Sequence, residues 1–102
     1  MLTDEANELY ISIISAWEIA IKASLGKLPG LNGGVRIFLA KLKEMPVYLL
    51  PIAPSHVEIV ETLPFIHRDP FDRLIVAAAK AEGMTILTAD ENIHKYDVPY
   101  LW

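Results

Sequence analysis

The 102-residue chain contains no cysteine. That excludes disulfide frameworks, thiolate zinc sites and cysteine nucleophiles. Positive charge is also scarce: 9 bases face 13 acids, for a net charge of −4. A protein that grips nucleic acid by bulk charge has the opposite balance, so any such contact must be local or bridged by cations. No apolar run approaches the ~18 residues of a membrane span; the longest, Leu74 to Ala79, has six. The opening Met1-Leu2-Thr3-Asp4-Glu5 is acidic where a signal peptide is basic. The expectation is a cytoplasmic protein with no membrane partner. Repeats, low-complexity tracts and linkers are absent too, which reads as one domain over residues 1–102. With 53% hydrophobic and 22% charged residues, the chain is too apolar for intrinsic disorder.

The apolar pattern alternates between two periods. Leu9 to Ile14 is short, β-branched and aromatic, and reads as a strand. Ser15-x-x-Glu18 has the form of a capping box and predicts a helix to about Leu25, stopped by Gly26. Pro29, Gly30, Gly33 and Gly34 predict a loop. Val35, Phe38, Leu39 and Leu42 repeat at helical spacing and predict a helix ending before Pro46. Val47 to Ile52 reads as a strand, with Pro51 shortening it. Ser55-x-x-Glu58 predicts a second capping box and a short helix that Pro64 ends. Asp69-Pro70 pairs an N-cap with Pro at N1 and predicts a helix to Glu82, closed by Gly83. Met84 to Thr88 reads as a strand, Asn92 to Lys95 as a turn or short helix, and Pro99 to Trp102 as a last strand. Alternating helices and short apolar strands predict an α/β fold with a mostly parallel sheet flanked by helices.

Three acids fall at comparable places in this order. Glu18 lies early in the helix after the first strand, Asp72 in the first turn of the 70–82 helix, and Asp90 just after strand 84–88. In parallel α/β folds, strand C-termini and helix N-termini share one edge of the sheet, and ligands bind there. Carboxylates gathered at one edge repel one another or recruit a cation. Oxygen ligands without cysteine suit Mg²⁺ or Mn²⁺. Each acid also has a purely structural reading. Glu18 can serve its capping box and pair with Lys22 at i, i+4. Asp72 at N3 suits the helix dipole, and Asp90 can cap a turn. Arg73 falls on the same helical row as Lys80, which reads as solvated. His67 and Arg68 precede the Asp69 cap, where a phosphate could sit, or they form an ordinary solvated loop. His56 and His94 read as surface residues, and Trp17 and Phe71 as core. No GxSxG, Walker A or GxGxxG pattern occurs.

Three segments resemble a known family. Ser12-Ile13-Ile14-Ser15-Ala16-Trp17-Glu18-Ile19-Ala20-Ile21-Lys22, followed by Leu25-Gly26-Lys27-Leu28, resembles the second block of PIN-domain proteins. His67-Arg68-Asp69-Pro70-Phe71-Asp72-Arg73-Leu74-Ile75 resembles the third, and Leu87-Thr88-Ala89-Asp90-Glu91-Asn92 the fourth. The relatives it calls up are VapC-type ribonuclease toxins of bacterial toxin–antitoxin pairs. The resemblance implies a PIN-like three-layer fold and a Mg²⁺- or Mn²⁺-dependent endoribonuclease. Glu18, Asp72 and Asp90 would be catalytic metal ligands. Thr88 would orient a ligand, and Arg68, Arg73 and Asp69 would support the site or contact RNA. The implied partners are an RNA substrate, a cognate antitoxin and a second copy of the chain.

One departure stands out. PIN domains begin with a strand ending in Asp, and no such segment is present here. Asp4 follows no apolar stretch, and residues 1–7 read as the end of a helix. The resemblance therefore implies an N-terminal truncation. The family's first, central strand and one metal ligand would be missing, leaving a gap in the sheet that invites pairing with another chain. Two readings follow: an endoribonuclease, or a non-catalytic remnant that binds antitoxin or self-associates. A receiver-like or phosphohydrolase-like domain is a third reading. It would need two adjacent acids after the first strand and a downstream lysine, and the chain shows neither.

Overall fold

A computed structural model describes residues 1–27, 33–88 and 90–101. The expected loop at Pro29 and Gly30, and the end of the last strand at Trp102, lie outside the described residues. The elements run β1 (Leu2–Thr3), β2 (Leu9–Ser12), α1 (Ile13–Ser24), α2 (Gly34–Leu42), β3 (Val47–Leu50), α3 (Pro54–Thr62), α4 (Pro70–Glu82), β4 (Thr85–Leu87), α5 (Glu91–His94) and β5 (Tyr100–Leu101). The fold is α/β, a mixed sheet flanked by helices, as the alternation of periods predicts.

The five strands lie in the order β3-β2-β1-β4-β5. β2 pairs parallel with β3, and β4 with β5, while β1 runs antiparallel to both β2 and β4. Four strands therefore point one way and only the central one is reversed. This corrects the helix reading of residues 1–7 and closes the gap expected in the middle of the sheet. Leu2 lies opposite Tyr10 on one side and Ile86 on the other. Asp4 then makes the turn back into β2: its Oδ1 accepts from the Ala6 and Glu8 amides at 3.0 and 2.9 Å. The reversal places Asp4 beyond Thr3, which pairs with Thr85 at the start of β4. Asp4 thus sits at the sheet edge opposite Asp90.

Leu2 is 1% exposed and belongs to one core cluster with Leu50, Leu63, Val76, Ala77, Ile86, Ile93, Tyr96 and Val98. Leu2→Ala is expected to cost at least ~2 kcal/mol, the low end for a buried leucine because so short a strand can partly collapse onto the cavity. A urea melt checks this. A loss below ~0.5 kcal/mol would mean that β1 does not hold the sheet together.

Two helix starts differ from the expected capping boxes. α1 begins at Ile13, capped by Ser12, whose Oγ accepts from the Ile14 amide at 3.1 Å. Ser12 is also the last β2 residue paired with β3, opposite Leu50. The helix begins where the strand loses its partner, three residues before Ser15 would start it. α3 begins at Pro54, and the side chain closing its first turn is His56, whose Nδ1 accepts from the Ala53 amide at 3.2 Å. His56 is 1% exposed, with Nε2 on Glu82 Oε1 at 2.8 Å, so its surface reading is corrected. α4 matches its expectation at both ends. Asp69 Oδ1 accepts from the Phe71 and Asp72 amides at 2.9 and 3.4 Å, and Gly83 closes the helix at φ 65°.

Candidate metal centre

The strand directions set the site. β2 and β4 run the same way, so the N-terminus of α1 and the segment after β4 open onto one edge. α4 brings its first turn to the same place. Asp72 and Asp90 converge there, and His67 lies between them. Its Nε2 stands 3.1 Å from Asp72 Oδ2 and 3.4 Å from Asp90 Oδ2. One ligating atom from each of His67, Asp72 and Asp90 lies within 4.8 Å of the other two. All three residues are partly buried.

Local bonds hold each member. Asp90 caps α5, its Oδ1 accepting from the Asn92 amide at 2.8 Å, while its own amide donates to Thr88 Oγ1 at 3.1 Å. The Thr88 hydroxyl thereby orients the acid's backbone. The Asp69 carboxylate is engaged by its cap bonds. His67 is held at three points: its amide donates to the Tyr96 hydroxyl at 2.9 Å, its Nδ1 accepts from the Asp69 amide at 3.1 Å, and Nε2 faces the acids.

Burial and neighbouring charge both bear on Asp72. Burial raises its carboxyl above the usual range, and the charges of Asp69, Glu18 and Asp90 push the same way, while His67 works against them. Glu18 is therefore within electrostatic reach but outside the cluster. Its carboxylate is paired with Lys22 Nζ at 3.1 Å, the i, i+4 pair that the sequence allowed. Because α1 starts at Ile13, Glu18 lies beyond the first turn and has no capping role.

Arg73 is a correction. It is only 7% exposed, not on a solvated row. Its guanidinium donates to the Val60 and Pro64 carbonyls at 3.2 and 3.0 Å and to the Tyr96 hydroxyl at 3.3 Å, with Cζ 4.5 Å from the Phe65 ring centroid. Its donors face inward, and through the Tyr96 hydroxyl it is linked to the His67 amide. Arg68 is exposed beside the cluster. Trp17 is a second correction: it is 55% exposed and packs edge-on against Phe71, with ring centroids 4.9 Å apart. The buried residues of α1 are Ile14 and Ala16, which leaves Trp17 at the margin. His94, expected at the surface, is half-buried, stacked on Tyr100 with Nε2 2.7 Å from the Thr88 carbonyl.

The sequence matches the PIN domain family model over residues 2–99. The chain belongs to the PIN-domain family, whose members are generally nucleases and typically bind divalent metal ions. Comparison with curated proteins and with solved structures gives no match. Among the described residues, no helix is long and apolar enough to cross a membrane.

The residues at the edge fit a divalent cation. Two carboxylates lie side by side with further negative charge behind them, and burial first, then those charges, raise the Asp72 carboxyl, a penalty on its ionised form that a cation would offset. Mg²⁺ commonly uses one or two carboxylates and keeps the rest of its shell for water and phosphate. Asp4 cannot join them, because β1 carries it to the opposite edge.

Proposed function

We propose that this chain is a divalent-cation-dependent endoribonuclease of the VapC type, restrained by a cognate antitoxin. The observation that carries the reading is the convergence of Asp72 and Asp90 at one sheet edge, inside a PIN-family chain. Asp72 and Asp90 would hold Mg²⁺ or Mn²⁺. When bound, such an ion acidifies a water molecule and offsets the charge of a phosphodiester. Glu18, whose charge is felt at Asp72, would join Asp72 and Asp90 as a ligand once it leaves Lys22. Thr88 and the α5 cap keep Asp90 aimed at the edge. Arg68 is the exposed base next to the cluster and would meet an RNA phosphate, which suits a protein whose overall charge repels nucleic acid.

A protein partner is supported by a second feature. A cavity of about 250 Å³ lies near the site, lined by Trp17, Val57, Val60, Pro70, Arg73 and Leu74. Trp17 and Val57 are more than half exposed and Phe65 is 80% exposed. Apolar surface of this kind suits an antitoxin segment better than solvent.

One observation favours the non-catalytic reading. With Asp4 at the opposite edge and Glu18 on Lys22, the cluster holds two carboxylates where the resemblance calls for more. Cleavage of a single-stranded RNA decides between the readings. The expected result is cleavage with Mg²⁺ or Mn²⁺, abolished by chelation and reduced more than ~100-fold in Asp90→Asn. Asparagine is an equally good N-cap, so this variant should melt within ~0.5 kcal/mol of the parent. Antitoxin binding without any cation-dependent cleavage would establish the binding module instead.

A further inference from the structure

We propose that His67 is the positioning residue of the metal centre. It braces Asp72 and Asp90 as a hydrogen-bond donor and does not itself ligate the cation. The inference rests on the reading of the two acids as a cation site and adds a division of labour within the cluster.

The hydrogen-bond network assigns the ring proton. His67 Nδ1 lies 3.1 Å from the Asp69 amide nitrogen, which can only donate. Nδ1 must therefore offer a lone pair, which leaves Nε2 as the nitrogen that carries the ring proton. That nitrogen faces two acceptors, Asp72 Oδ2 at 3.1 Å and Asp90 Oδ2 at 3.4 Å. One N–H is thus shared between two carboxylates. A ligating Nε2 would need a bare lone pair and a hydrogen on Nδ1, and that hydrogen would point at the Asp69 N–H. The imidazole has the position of a ligand but the wrong tautomer for one.

The ring is not free to exchange these roles. The His67 amide is fixed on the Tyr96 hydroxyl, and the Asp69 amide belongs to the residue that caps α4. Turning the ring over would break the Nδ1 bond and place a C–H against the acids. The bracing also has a clear purpose. Asp72 comes from α4 and Asp90 from the segment after β4. Without a shared donor, two half-buried carboxylates on different elements would repel and separate. A carboxylate oxygen that accepts one hydrogen bond keeps a second lone pair, so the acids can be braced and still bind a cation.

Two measurements on the full chain test this. The first is the ¹⁵N spectrum of histidine-labelled protein, with and without Mg²⁺. The expected His67 signature is protonated Nε2 and unprotonated Nδ1 in both states. A proton on Nδ1, or an Nε2 resonance that shifts to a metal-bound position with Mg²⁺, would overturn the donor role. The second is Mn²⁺ titration by calorimetry of the parent, His67→Phe and His67→Gln. Phenylalanine keeps the ring and removes both nitrogens; glutamine restores an N–H donor. The expected result is affinity weakened ~10–100-fold in the first variant, with part of the loss recovered in the second. Unchanged Mn²⁺ affinity in a folded His67→Phe protein would overturn the proposal while leaving the cation site standing. Failure of the parent to bind Mn²⁺ at all would overturn both, so the two failures are distinguishable.

Discussion

Arg73→Lys is expected to destabilise the fold by about 2–4 kcal/mol, and Arg73→Met by more, from the cost of leaving buried acceptors of a charged donor unpaired. Three acceptors depend on this side chain: the Val60 carbonyl, the Pro64 carbonyl and the Tyr96 hydroxyl. They lie at the end of α3, in the loop before α4, and near α5. One planar guanidinium reaches all three because its donors fork in a fixed geometry. A lysine ammonium on a narrower tip cannot match that spread. Phe65 lies over the guanidinium and shields it, so water cannot easily replace the lost bonds. The effect should pass on to the site, since the Tyr96 hydroxyl also accepts the His67 amide. Urea melts followed by circular dichroism measure the loss, and the His67 amide should exchange faster in the lysine variant. The opposite expectation belongs to an Arg73 that faces RNA, where lysine keeps the charge and the fold would be untouched. A lysine variant within ~0.5 kcal/mol of the parent would support that alternative.

The same residue shows where the sequence stops being informative. Arg73 and Lys80 share a helical row, and two charges on one row read as a wet face. But α4 buries Arg73, Val76, Ala77, Ala78 and Ala79, which lie nearly all round the helix. A run of alanines carries no directional signal, so periodicity could not reveal that α4 is covered on most sides. The ends of α4 were legible because Asp69, Pro70 and Gly83 act locally. Ser15-x-x-Glu18 was misleading for the opposite reason. The local pattern was sound, but strand pairing at Ser12 determined where the helix starts. β1 left no trace in the pattern because two residues cannot display a period. Its place comes from partners far along the chain. The acids at 72 and 90 were legible from strand and helix ends. His67 was not, because its role depends on an acid five residues on, another twenty-three residues on, and a tautomer fixed by a cap.

Asp72→Asn is expected to trade function for stability. Burial, then Asp69, Glu18 and Asp90, raise the Asp72 carboxyl in the folded chain above its unfolded value. Between those two values the folded chain holds more protons than the unfolded one. Stability is therefore full below the unfolded carboxyl range and falls as pH rises through the folded value. At neutral pH the ionised Asp72 is a burden. In chelator, Asp72→Asn should melt a few degrees above the parent at pH 7–8, and the difference should vanish in acid. Added Mg²⁺ reverses the order. An ion that binds only the folded parent stabilises it by about 2.7 kcal/mol at a hundredfold excess over Kd. The variant lacks that ligand and gains little. RNA cleavage should fall more than ~100-fold in the same protein. Melting curves at several pH values, with chelator and with Mg²⁺, separate these terms. A variant less stable than the parent in chelator at every pH would show that Asp72 serves α4 as a dipole partner and that its ionised form carries no net penalty in the fold. The expected crossover instead ties stability to function through one carboxylate: the burial and the neighbouring acids that penalise its ionised form in the empty fold are what a bound cation would offset.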